Sequence, residues 1–198
     1  DIVAALKTVV TRLDSLCAFG TTIERLNLLG GAWKRLALVQ TGAARTAALG
    51  HMAACYNRAF VAGDGKNPYP FTNAWTAELL HPGAASPVER ESACATLLAL
   101  QAEANARNPG FWGDVALADL KLVRLLARAT ATGPDQGHPD DCSALGREVT
   151  EGYQGAFARG ASERERSSVT EHLDFLLHLT DPRSPCLPFL KALRNALA

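Results

Sequence analysis

Charge of one sign is missing from this sequence: twenty Lys and Arg residues stand against twenty Asp and Glu. A formally neutral chain lacks the broad cationic footprint that nucleic acid or an anionic membrane surface requires, so neither is expected as a partner. Long apolar runs are missing too. No stretch approaches the roughly 20 residues of a membrane span, and no charged-then-apolar leader opens the chain. The five cysteines, Cys17, Cys55, Cys94, Cys142 and Cys186, are odd in number and never form CxxC. That excludes a disulfide framework or zinc knuckle and fits a reducing, cytoplasmic setting.

Catalytic signatures are equally scarce. "GDGKN" fails as a phosphate loop, because the first glycine of GxxxxGK[ST] falls on Phe60 and the hydroxyl on Asn67. No GxSxG elbow or HExxH helix is present. His51 and Cys55 stand four apart, as do His138 and Cys142, but His172, His178 and Cys186 complete neither pair into a ligand set. No enzyme active site, metal or cofactor is expected.

Period-two alternation is absent, whereas apolar residues recur at three- and four-residue steps, which predicts an all-α chain. Ile2, Val3, Leu6, Val9, Val10, Leu13 and Leu16 are expected on one face of an opening helix that Gly20 ends. Thr21 and Glu24 have capping-box spacing for the second helix, "RLNLLGGAWKRLAL". A third runs from Ala43 to Val61, Tyr69-Pro70 introduces a short one to about Leu80, and Ser86-Pro87 with Glu89 launches another to Arg107. Phe111 to about Ala129 follows, then a polar, proline-rich segment, 130–142, expected as a mobile loop. Further helices run from Ser143 to Arg159, from the Ser162/Glu165 cap to Thr180, and from Ser184-Pro185 onward. Nine helices in a single domain, 1–198, result. The chain starts in helical register at Asp1 rather than Met, which predicts a piece of a longer, multidomain protein.

Leu26, Leu29, Gly30 and Trp33 reproduce the first-helix pattern of a tetratricopeptide repeat, and Met52, Tyr56 and Ala59 the second, except for Met in the small place. Glycine costs a helix about 0.5–1 kcal/mol relative to alanine, so Gly30 calls for a close helix crossing. "YNRAF" at 56–60 returns as "YQGAF" at 153–157, a separation near three 34-residue units. The expected architecture is a short tetratricopeptide-like α-solenoid of antiparallel helix pairs. Trp33 and Trp112 are expected in its core, and "SERERSSVTEH" on a solvated outer face.

"ERLNLLGGAWKRLAL", "MAACYNRAF", "YPFTNAWTAELL", "FWGDVALADLKLV" and "GYQGAFARGASERERSSVTEHLDFLL", from about Glu24 to Leu177, resemble the tetratricopeptide-type region of the TRAFs-binding domain of apoptosis-signal-regulating kinases and its bacterial relatives. Tyr69, Pro70 and Asn73 agree with the family's Tyr-Pro-Gly-Ile-Asn; Phe71 and Thr72 depart, and Asp119 falls where an acidic residue is common. The resemblance implies a regulatory scaffold that binds protein segments or an effector domain of its own chain, without catalysis.

The first helix of a repeat pair lines the concave surface of a solenoid, where polar side chains can hold a peptide. Asn27, Lys34, Arg35 and Asn73, with Trp75, are therefore the candidate partner-binding residues. A small-molecule sensor with an interhelical pocket near His51 and Trp75 is the alternative.

Overall fold

The computed structural model describes residues 1–80, 87–131 and 139–198. Among them are nine α-helices and no strand: α1 (Ile2–Phe19), α2 (Ile23–Val39), α3 (Gly42–Ala62), α4 (Pro68–Leu79), α5 (Pro87–Arg107), α6 (Phe111–Ala131), α7 (Pro139–Ala158), α8 (Glu163–Leu179) and α9 (Leu187–Ala196). None is long and apolar enough to cross a membrane. Residues 132–138 of the expected loop, Ser86 of the expected α5 cap and His138 lie outside the described residues.

Chain contacts divide the protein into two compact units, Asp1–Ala85 and Ser86–Ala198. Within the first, α1 packs on α2, α2 on α3 and α3 on α4. Within the second, α5 packs on α6, α6 on α7, α8 on α9 and α7 on α9. Within each unit most helices pack on a neighbour in sequence, an all-α, paired arrangement consistent with a short tetratricopeptide-like solenoid.

Local chemistry sets the helix ends. Thr22 Oγ1 accepts from the Arg25 amide at 3.2 Å, Asn67 Oδ1 from the Tyr69 amide at 3.0 Å, and Ser162 and Glu165 form the expected reciprocal capping box. The α2 cap is therefore Thr22, not Thr21. Thr21 Oγ1 instead donates back to the Cys17 carbonyl, and Arg25 Nη1 reaches the carbonyls of Leu16 and Gly20, so both satisfy the unpaired end of α1. The final helix starts at Leu187, after a turn in which Ser184 Oγ accepts from the Cys186 amide.

The core of the first unit joins Val10 and Cys17 of α1 to Leu26, Leu29 and Ala32 of α2 and Cys55 and Ala59 of α3, with Leu13 and Trp33 packed against it. The apolar residues of α1 do not form one buried face: Ile2, Val9 and Leu16 are 64, 45 and 46% exposed. Their number exceeds what a single neighbouring helix can cover. Trp112 also departs from the core expected for it. At 54% exposed it stands edge-on to Phe111, and it is Phe111 that turns inward to stack on Phe157.

Candidate functional site

The crossing of α2 and α3 is built around the absence of a side chain. A Cβ at Gly30 would lie 2.8–3.0 Å from three ring carbons of Tyr56, so the tyrosine ring occupies the space that any other residue would fill. Tyr56 is buried, which pushes its phenol well above the ordinary range and keeps it a neutral hydrogen-bonding group. Its hydroxyl lies 3.4 Å from that of Tyr69, whose ring meets it edge-on and is half exposed.

Tyr69 sits in the first turn of α4, and its carbonyl organises that turn, accepting from Thr72 Oγ1 at 3.1 Å and Asn73 Nδ2 at 2.9 Å. This leaves the buried Asn73 with its Oδ1 turned toward α2, where it accepts from Lys34 Nζ at 3.4 Å. Two candidates 39 residues apart thus meet across α2 and α4. Phe71 and Thr72, the departures from the Tyr-Pro-Gly-Ile-Asn pattern, are buried within α4 and leave its helix intact.

Asn27 lies two helical turns before Lys34 and so on the same side of α2. It is half-buried, and its Oδ1 accepts no hydrogen bond from the described residues. Arg35 is exposed and donates to the Gly31 carbonyl at 3.3 Å. Gly31 leaves room beside the guanidinium: a Cβ there would meet Arg35 Nη1 at 3.5 Å and the Tyr56 hydroxyl at 3.7 Å, ordinary contacts. The face carries Lys34, Arg35, the half-buried Asn27 and the exposed edge of Tyr69, with the buried Asn73 accepting from Lys34. Such a surface can hold backbone and side-chain acceptors.

Trp75 is placed differently. It is 4% exposed, packed edge-on to Phe71, which in turn meets Phe60, and so belongs to the interior beneath α4. His51 stacks on Trp33 at 4.3 Å on the exposed side of α3, a separate aromatic group from Trp75. Its neighbour Cys55 is buried, and desolvation pushes the thiol up to about 11, which disfavours the thiolate a metal would need. The tyrosine pair Tyr56/Tyr69 was not among the expected site residues. Its sequence signal was the Tyr-Pro at 69–70, legible as a helix start but not as a contact.

The second unit repeats the crossing with other chemistry. Tyr153 is fully buried on α7 and donates to Asp119 Oδ1 of α6 at 2.5 Å. A Cβ at Gly152 would stand 3.2 Å from Ala118 Cβ, so the two helices nearly touch. Glu91 of α5 binds both Arg124 and Arg128 of α6. At the charged opening of α8, Ser162 and Glu165 form the cap, Ser167 hydrogen-bonds Glu171 on an exposed surface, and Arg166 reaches back to the carbonyl and ring of Phe157 on α7.

Residues 2–78, which carry α1 to α4 and the Lys34–Asn73 face, match the family model described as Tetratricopeptide Repeats-Sensor. The match supports a tetratricopeptide-like helical-repeat region there. No curated protein and no solved structure gave a match.

Proposed function

We propose that the α2–α4 face is a protein-interaction surface, and that the chain is a non-enzymatic regulatory scaffold whose first unit binds a protein segment or a neighbouring effector domain of the same polypeptide. The observation that carries this reading is the Lys34–Asn73 contact. It brings polar side chains of α2 and α4 together, with Asn27 in line on α2 and Tyr69 half exposed beside it. The match of residues 2–78 to a tetratricopeptide family supports it, since such repeats generally bind proteins and do not catalyse. The resemblance to the TRAFs-binding region of apoptosis-signal-regulating kinases supports an effector as the neighbour.

The test is a paired charge reversal, Lys34→Glu with Arg35→Glu. Both side chains reach solvent, so helicity by circular dichroism is expected to stay intact while capture of the adjoining domain of the same gene product, supplied separately, falls about tenfold or more. Unchanged capture by a folded double variant overturns the assignment of this face.

The word sensor in the matched family's description favours a second reading, a small-molecule binding domain. A thermal-shift screen of metabolites separates the two: a specific ligand raises the melting temperature of a sensor, and a flat screen favours the scaffold.

A further inference from the structure

Two apolar seams run the length of α1. Val3, Leu6, Val10, Leu13 and Cys17 follow one another at steps of three and four, and so do Ile2, Ala5, Val9, Arg12, Leu16 and Phe19. At about 100° per residue the two seams lie roughly 110° apart around the helix. The first is spent inside the fold: Val10, Leu13 and Cys17 join the core beside Leu26, Leu29 and Ala32 of α2. The second is exposed throughout, with Phe19 at 90%.

The inner seam shows what this spacing accepts. Steps of three and four keep side chains in register with a second helix, and α2 is that helix on the inner side. The outer seam, with the same period on the same helix, has the geometry for another. Its flanks are neutral and self-satisfied: the hydroxyls of Thr8, Thr11 and Ser15 donate to the carbonyls of Ala4, Lys7 and Thr11. Arg12 is the one charge in the seam, exposed and without an ion-pair partner among the described residues.

That charge selects the occupant. Arginine stays protonated, and covering it without a carboxylate leaves a desolvated charge uncompensated. A second copy of α1 supplies none: laid parallel it sets Arg12 against Arg12, and the antiparallel register that covers the whole seam sets Arg12 against Val9. We propose that the outer seam of α1 docks an amphipathic helix of a different polypeptide segment, with apolar residues at three-four spacing and an Asp or Glu facing Arg12. This surface is separate from the Lys34–Asn73 face.

The probe is a synthetic three-heptad peptide helix with leucine along its seam and glutamate at the position facing Arg12, compared with the same peptide carrying lysine there. Titrated with the whole 198-residue chain by fluorescence anisotropy, the glutamate peptide is expected to bind about tenfold or more tightly than the lysine peptide. Arg12→Glu is expected to invert that preference and Leu16→Asp to abolish both interactions. Both positions are exposed, so circular dichroism remains native. Lys34→Glu with Arg35→Glu leaves the peptide affinity unchanged, which keeps this surface distinguishable from the α2–α4 face. Failure of the glutamate peptide to bind, equal affinity for the two, or binding that survives Leu16→Asp overturns the proposal. So does dimerisation of the chain alone that Leu16→Asp abolishes in sedimentation, or binding to phosphatidylserine vesicles in place of the peptides.

Discussion

Tyr56 and Tyr153 open similar five-residue phrases, YNRAF and YQGAF, on the second helix of a packed pair, α3 in the first unit and α7 in the second, and each is buried. In the first unit the ring lies against Gly30, and its hydroxyl has only the long 3.4 Å approach of Tyr69. In the second, the hydroxyl donates to the carboxylate of Asp119. The first crossing sets its tyrosine ring against a glycine; the second, itself close at Gly152 and Ala118, adds a charge-assisted hydrogen bond. The family match covers the first and ends at residue 78, before the second. The two buried tyrosines are therefore held differently, the first by a glycine under its ring and the second by a carboxylate on its hydroxyl.

The comparison can be broken most directly at Gly30. Gly30→Leu drives a side chain into Tyr56, and even Gly30→Ala places a carbon 2.8 Å from the ring, so a loss of about 1–3 kcal/mol is expected, larger for leucine. Gly31→Ala meets only ordinary contacts and is expected to be neutral or to stabilise by up to about 1 kcal/mol. Urea denaturation of the three variants decides it; a native-like Gly30→Ala would show that close packing does not hold Tyr56.

Removing the hydroxyls sharpens the other half. Tyr153→Phe leaves Asp119 without the Tyr153 donor and is expected to cost about 1–3 kcal/mol, whereas Tyr56→Phe removes only a long contact to a half-exposed partner and is expected to cost under about 1 kcal/mol. The reverse order in thermal melts would mean that shape and hydrogen bonding had been assigned to the wrong units.

A smaller effect concerns alkali. Burial pushes the thiol of Cys55 in the first unit up to about 11 and that of Cys94 in the second to about 12, from ordinary values of 9. A raised folded-state value favours the neutral thiol. Its contribution is complete below about pH 9 and is lost as pH rises, through about 11 for Cys55 and about 12 for Cys94. Urea midpoints are expected to fall from pH 8 to pH 10.5, and Cys94→Ala to flatten that fall. A midpoint that rises with pH would contradict the burial of both thiols.

Much of the fold was legible because helices are written locally. The three-four spacing located the helices, the Ser162/Glu165 pair marked the start of α8, and the cost of glycine in a helix pointed to Gly30 as a contact. Helix ends were less legible. Thr21 and Thr22 offer the same hydroxyl, and only the need of the Cys17 carbonyl for a donor separates their roles. Of the candidate site, Asn27, Lys34 and Arg35 could be placed on one helix by periodicity, but the meeting of Lys34 with Asn73 depends on how α2 and α4 flank α3. Trp75 illustrates the same gap: an aromatic residue on a short helix reads equally as a binding or a core residue until its neighbours are known.

Periodicity, caps and breakers, all acting within a few residues, by themselves determined an all-α chain of paired helices with a glycine-dependent crossing at Gly30. Tertiary structure alone decided which apolar residues are covered. The seven expected on one face of α1 are divided because α2 shields only the side bearing Val10, Leu13 and Cys17, leaving Ile2, Val9 and Leu16 in solvent. Burial is a property of neighbours in space, and hydrophobicity records only the tendency to seek them.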